Sequence, residues 1–195
     1  MNQPATLKPA FSPLRLRDRS LGWQIGAVLL GTVLLAVSSY IEVPMKPVPI
    51  TMQTFAVTLI GALYGWRLGA ITIIAWLAQG AAGMPVLAGG ASGALHFLGP
   101  TGGYLFAFPV CGALVGWLAE RGWNGNNVLL AFLAMLLGNA ACLVLGAIWL
   151  GFMIGAEPAI VHGVLPFILG GVLKSALGAA TLAVIARGGG KWHRS

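Results

Sequence analysis

Apolar residues in this chain come in long runs, broken by short stretches rich in Gly, Pro and charge. A membrane span needs about 20 apolar residues, and the runs predict six helices: 21–41, 50–66, 68–86, 103–119, 128–150 and 163–186. At about 1.5 Å per residue each is roughly 25–35 Å long, so the shorter ones just cross a bilayer core. Arg67 leaves almost no linker between the second and third, and an odd number of crossings is the alternative.

Composition agrees with the runs. The 195 residues are 58% hydrophobic and 8% charged, against roughly 25% charged in soluble domains. The expected fold is an all-α integral membrane protein, a compact bundle of six transmembrane helices. Residues 1–20 and 187–195 are basic tails around a transmembrane domain at 21–186. Lys8, Arg15, Arg17 and Arg19 precede the first run, and Ala36 and Ser38 give it a signal-peptide look. The run from Leu21 to Ile41 exceeds the 7–15 residues of a signal core, so it reads as a retained helix.

The net charge of +7 would suit a nucleic-acid binder, but the cations sit at the ends of apolar runs, where they signal topology. With the N-terminus cytoplasmic, the inner side holds Lys8, Arg15, Arg17, Arg19, Arg67, Arg121, Arg187, Lys191 and Arg194. The outer side holds Lys46, and Lys174 lies within the last helix. Both termini are then cytoplasmic. Trp23, Trp66, Trp117 and Trp123 fall near span ends, as interface anchors do. Segments 42–49, 86–102 and 151–162 face outward and hold most of the irregular chain. Irregular backbone at membrane depth lines a cavity or is covered by protein, so the binding site is expected there.

Lys174 is the sharpest chemical feature. It lies about 16 Å along the sixth run, where an ammonium costs about 2.5–3.5 kcal/mol on insertion scales. The four acids are Asp18, Glu42, Glu120 and Glu157, so no carboxylate is placed to neutralise it. A polar or anionic group of a bound solute is the expected partner. Gly102 and Gly103 open the fourth helix, whose first N–H groups lack helical partners. A bare backbone there lets a ligand approach; a tight turn between packed helices is the other reading. Thr51, Gln53 and Thr54 open the second helix behind Pro44, Pro47 and Pro49, which hold the outer loop extended as a lid.

Other polar residues are assigned plainer roles. Gln79 and Asn139 are expected to bond between helices. Cys111 and Cys142 read as buried hydrophobes, and His96 and His162 as solvated or interfacial. No metal-ligand spacing, catalytic triad, paired carboxylates or Gly-Lys-Ser/Thr phosphate loop occurs, so an enzyme, a metal site and cytoplasmic ATP binding are all disfavoured.

Three stretches, "PVPITMQTFAVTLIGALYGWRLGA" (47–70), "QGAAGMPVLAGGASG" (79–93) and "GPTGGYLFAF" (99–108), together resemble the BioY family, biotin-binding S components of energy-coupling factor (ECF) vitamin transporters. The resemblance covers about residues 21–186. It implies a multi-pass protein of a prokaryotic cell membrane that takes biotin from outside. Its partners would be a transmembrane coupling (T) subunit and two cytoplasmic ATPases. Biotin is the transported ligand, and no cofactor or metal is implied.

The ligand-binding residues carried over are Lys174, Gln53, Thr51, Ala88, Gly89, Gly90, Gly102, Gly103 and Tyr104. Small residues on the first helix are the family's docking surface. Here they are Ala27 and Gly31, with Gly22 and Gly26 a turn earlier. Two departures stand out. Leu87 replaces an aromatic, and Gly171 stands three residues before Lys174 where similar chains carry Asp. Backbone carbonyls of the glycine-rich loop and Gln53 are alternative acceptors for the ureido N–H groups. Which end of biotin meets Lys174 is open at this level. Another vitamin, a membrane-embedded enzyme and a purely structural subunit are the competing functions.

Overall fold

The computed structural model describes Leu16 and residues 19–191, with side chains to residue 188. Lys8, Arg15, Arg17 and Arg194, and most of both basic tails, lie outside the described residues. Helices α1 (Leu21–Tyr40), α2 (Gln53–Ala81), α3 (Gly102–Glu120), α4 (Val128–Ile154), α5 (Ala156–Gly163) and α6 (Leu165–Lys191) make up the fold. A two-stranded antiparallel ribbon, β1 (Glu42–Val43) and β2 (Ile50–Thr51), joins α1 to α2. Among the described residues, five helices are long and apolar enough to cross a membrane. The chain is an all-α multi-pass membrane protein.

The expected second and third runs are the two arms of α2, which join at Gly65 rather than at Arg67. Gly65 adopts φ 79° and ψ 171°, a region essentially restricted to glycine. The bend reverses the chain. Gly61 and Gly69, equidistant from Gly65, come into contact: a Cβ on Gly69 would stand 3.0 Å from Gly61 Cα. Val57 and Ile73, equidistant again, meet at Gly112 of α3. The Glu120 carboxylate accepts from the Trp66 backbone N–H at 3.2 Å, satisfying one orphan donor where the second arm begins.

Several boundaries differ from the sequence reading. Thr51 belongs to β2, so α2 starts at Gln53. The 86–102 segment contains two 3₁₀ turns, Ala88–Gly90 and Ala94–Leu98. The 151–162 segment is largely helical: α4 continues to Ile154 and α5 follows after Gly155 (φ 94°). A buried core runs through the centre, with Leu35, Trp76, Ile60, Ile73, Met135 and Leu150 among its fully covered side chains.

Candidate functional site

The site is built where the α1–α2 ribbon meets α6. Lys174 is 8% exposed, and its Nζ donates to the Thr51 carbonyl at 2.9 Å. From Thr51 a one-way chain of donors leads to α1. The Thr51 hydroxyl donates to Gln53 Oε1 (2.9 Å), Gln53 Nε2 to Ser39 Oγ (3.1 Å), and Ser39 Oγ to the Leu35 carbonyl (2.7 Å). Thr51, Gln53 and Ser39 are all buried. Low dielectric makes such a satisfied network stiff. Lys174 therefore faces the protein interior, and its one hydrogen bond among the described residues uses one of three N–H groups.

On the other side of Thr51 lies a small cavity of about 40 Å³, lined by Val48, Gln53, Ala88, His96, Thr101 and Tyr104, among others. That is room for about one water, whereas drug-sized ligands occupy about 300–1,000 Å³. The ribbon and the 86–102 segment are closed down on one another here. Tyr104 OH donates to the Gly163 carbonyl at 2.8 Å, tying α3 to the end of α5. Trp76 Nε1 holds the Val86 carbonyl (2.9 Å) and Trp149 Nε1 the Gly99 carbonyl (3.1 Å). The 86–102 segment is thus pinned from two helices. The ribbon is held instead by the Lys174 contact and the Met52 N–H to Ile41 carbonyl bond (3.0 Å).

The structure brings Lys174, Thr51, Gln53, Ala88 and Tyr104 together around this closed centre. Gly89 and Gly90 have positive φ (60° and 79°) and lie against Glu42 and Tyr40, at the rim. Gly102 and Gly103 have another role than the one expected. Both are buried, and the space a side chain would need is taken by the Phe97 carbonyl and Trp149. Their bare backbone lets α3 pack closely against α4 and the preceding turn, the tight-turn reading of the two.

The docking pair also needs correcting. A Cβ on Gly31 would meet Thr72 Cγ2 at 2.5 Å and Tyr64 Cε2 at 3.1 Å, and Tyr64 OH donates to the Ala27 carbonyl at 2.8 Å. Gly31 serves the α1–α2 contact inside the chain. Among the described residues, Gly22 and Gly26 have nothing within 4 Å of a built Cβ, and with Ala27, Trp23 and Leu30 they line a groove of about 780 Å³.

His96, expected to be solvated or interfacial, is half-buried and lines the cavity with its Nε2 3.3 Å from Thr101 Oγ1. Burial holds its pKa below the ordinary histidine value. Ser39 carried no sequence signal beyond its place in an apolar run, because only the fold brings it to Gln53. Asn139 does bond between helices, to Ser175 Oγ at 3.1 Å. Gln79 Nε2 lies 3.5 Å from Thr32 Oγ1.

The chain is similar to known proteins over most of its length. The chain is 37% identical over 163 residues to a probable biotin transporter BioY of Pyrococcus horikoshii, covering 84% of this chain and 93% of that one. It is 33% identical to biotin transporter BioY2 of Lactococcus lactis, covering 80% and 85%. A solved structure described as the S-component for biotin from an ECF-type ABC transporter is similar with TM-score 0.77 and 26% identity, over 87% of this chain and 95% of that one. The BioY family model matches residues 12–190. The chain belongs to the BioY family.

Proposed function

We propose that this chain is the biotin-capturing S component of an ECF-type importer. It resides in a prokaryotic cell (inner) membrane, takes biotin from outside and delivers it inward. The observation that carries the reading is Lys174: a buried ammonium with two N–H groups unspent among the described residues. Desolvating such a charge without full pairing is costly, and a solute carrying acceptor oxygens removes the deficit. Biotin has acceptors at both ends, the ureido carbonyl and the carboxylate.

The two arms of α2 count as separate crossings in this reading, giving six in all with both termini cytoplasmic. Arg19 over Trp23, Arg67 over Trp66 and Arg121 over Trp117, with guanidinium carbons 6.0, 4.9 and 3.5 Å from the ring centroids, support it. All three lie at helix ends that this topology puts on one side, and an excess of Arg marks the cytoplasmic side.

Thr51, Gln53, Ala88 and Tyr104 contact the ligand, and Gly89 and Gly90 give the rim its turn. Since the cavity is closed in the present form, entry requires the ribbon to lift. Lys174 then exchanges the Thr51 carbonyl for the ligand. A T subunit docks along α1 at Gly22, Gly26 and Ala27, where side chains leave the helix surface open. Two cytoplasmic ATPases hydrolyse the ATP. This chain performs capture and no chemistry.

The test is titration of the purified chain in detergent with biotin and, separately, with other vitamins. Saturable one-to-one biotin binding without ATP, and none with the others, is the expected result. A folded chain with no affinity for biotin overturns the reading.

A further inference from the structure

Five polar side chains line the cavity beside Thr51: Thr51 itself, Gln53, His96, Thr101 and Tyr104. Three of them are spent on the protein. The Thr51 hydroxyl donates to Gln53 Oε1, Gln53 Nε2 to Ser39 Oγ, and the Tyr104 hydroxyl to the Gly163 carbonyl. The side chains of His96 and Thr101 bond only to each other among the described residues, Nε2 to Oγ1 at 3.3 Å.

Counting protons shows what this pair can still hold. A neutral imidazole has one N–H and one acceptor nitrogen, and a hydroxyl donates once. Whichever of the two donates across the contact, one N–H or O–H of the pair is left over. Protonation turns both ring nitrogens into donors. Nε2 then donates to Thr101 Oγ1, which leaves Nδ1–H and the Thr101 hydroxyl both free beside a positive charge. A carboxylate matches that arrangement, because it offers acceptors only and the opposite charge. A urea N–H would find no acceptor there.

The pair is held independently of the ribbon. His96 lies in the 3₁₀ turn Ala94–Leu98, with its N–H on the Gly93 carbonyl (3.1 Å) and its carbonyl accepting from Gly99 (3.3 Å). Trp149 and Trp76 pin the two ends of that segment, and Thr101 immediately precedes α3. Lifting the ribbon therefore uncovers a pair already in position, which lowers the ordering cost of binding. His96 is half-buried whereas Lys174 is 8% exposed, so a carboxylate at His96 keeps part of its hydration.

Few titratable groups surround the imidazole. Tyr104 of α3 shares the cavity, Glu42 of β1 lies against Gly89, and Lys174 of α6 reaches Thr51. No carboxylate is among the lining residues, and burial holds the His96 pKa below the ordinary value. A ligand carboxylate beside the ring would supply the missing counter-charge and raise that pKa.

We infer that His96, with Thr101, binds the carboxylate of biotin and takes up a proton in doing so, which makes capture tighter in acid. The inference rests on the biotin reading above and adds to it a proton-linked affinity. His96 falls between the stretches 79–93 and 99–108 that carry the family resemblance, and so outside both. Affinity is flat above the pKa of the complex, rises as the pH falls from there to the pKa of the free chain, and levels off below it.

The test is calorimetric titration of the full chain in detergent with biotin and with biotin amide, whose tail carries no charge, at about pH 5.5 and about pH 8, either side of the ordinary histidine value. Wild type should bind biotin about 10-fold more tightly at the lower pH, the order of one hydrogen bond to a charged group. Biotin amide should show no such rise, and His96→Gln should lose it for biotin. A residue that merely supports the fold would move both ligands alike. Titration in two buffers of different ionisation enthalpy counts the protons bound, and net uptake with biotin alone is expected in the wild type without recourse to any variant.

A biotin affinity equal at the two pH values, a rise shared by biotin amide, or a rise retained in His96→Gln overturns the assignment while leaving biotin capture standing. A wild type that ignores biotin at both pH values overturns both.

Discussion

Lys174 Nζ donates to the carbonyl oxygen of Thr51 at 2.9 Å, a contact between residues 123 positions apart. It joins the middle of α6 to the base of the outer ribbon, and through Gln53 and Ser39 it reaches α1. A buried cation on a neutral carbonyl is a poor stabiliser, because its lost hydration exceeds what one acceptor returns. In the proposed function its use is in binding.

Lys174→Met tests that statement without any ligand. Removing the charge relieves several kcal/mol of desolvation, against about 1–3 kcal/mol for leaving the Thr51 carbonyl unpaired. The melting temperature of the purified chain should hold or rise. A clear fall would make Lys174 a structural strut.

Gly65→Ala should destabilise by about 1–3 kcal/mol, the cost of a non-glycine residue in this backbone region. The added methyl would also stand 2.5 Å from Glu120 Oε1, displacing the carboxylate that caps the second arm. Thermal unfolding in detergent measures this, and an unchanged melting temperature would contradict the hairpin geometry.

The two glycine sets on α1 should separate. Gly31→Leu drives a side chain into Thr72 and Tyr64 and should cost about 1–3 kcal/mol as overpacking. Gly26→Leu enters open space and should change the stability of the isolated chain by less than about 0.5 kcal/mol. It should nonetheless weaken co-purification with a T subunit. The reverse pattern would move the docking face elsewhere.

Much of this was legible in the sequence. Long apolar runs reveal helices because a bilayer demands them, and a lysine inside such a run is conspicuous because hydrocarbon penalises it. The prolines of "PVPIT" marked an extended segment ahead of α2, although the helix was expected from residue 50 and starts at Gln53. The reversal was expected at Arg67, and its true place at Gly65 was hidden, since a glycine inside an apolar run looks like any small packing residue until its φ is known. Gly102, Gly103 and Gly31 were ambiguous for the same reason. Small residues signal that something comes close, without saying whether it is a ligand, a partner or Trp149 and Tyr64 of the same chain. His96 and Ser39 reach the site only through tertiary contacts.

His96 gives the closed cavity a pH dependence. Its pKa is held down by burial, so the folded chain binds fewer protons than the unfolded chain just below the ordinary histidine value. Stability follows the difference in bound protons. It is fully present above about pH 6.5, the model-peptide value, and declines as the pH falls from there through the lowered pKa. The residues lining this cavity include no charged side chain that would offset the proton. His96→Gln should flatten the fall in melting temperature over that acid range. An identical slope in the variant would place the titration elsewhere.

The most direct measurement is calorimetric titration of biotin into the wild type and Lys174→Met, each purified alone, folded and free of nucleotide. The account predicts one site on the wild type and an affinity lower by about 10–100-fold in the variant, the range for a hydrogen bond to a charged group. Equal biotin affinity in the two proteins would contradict it.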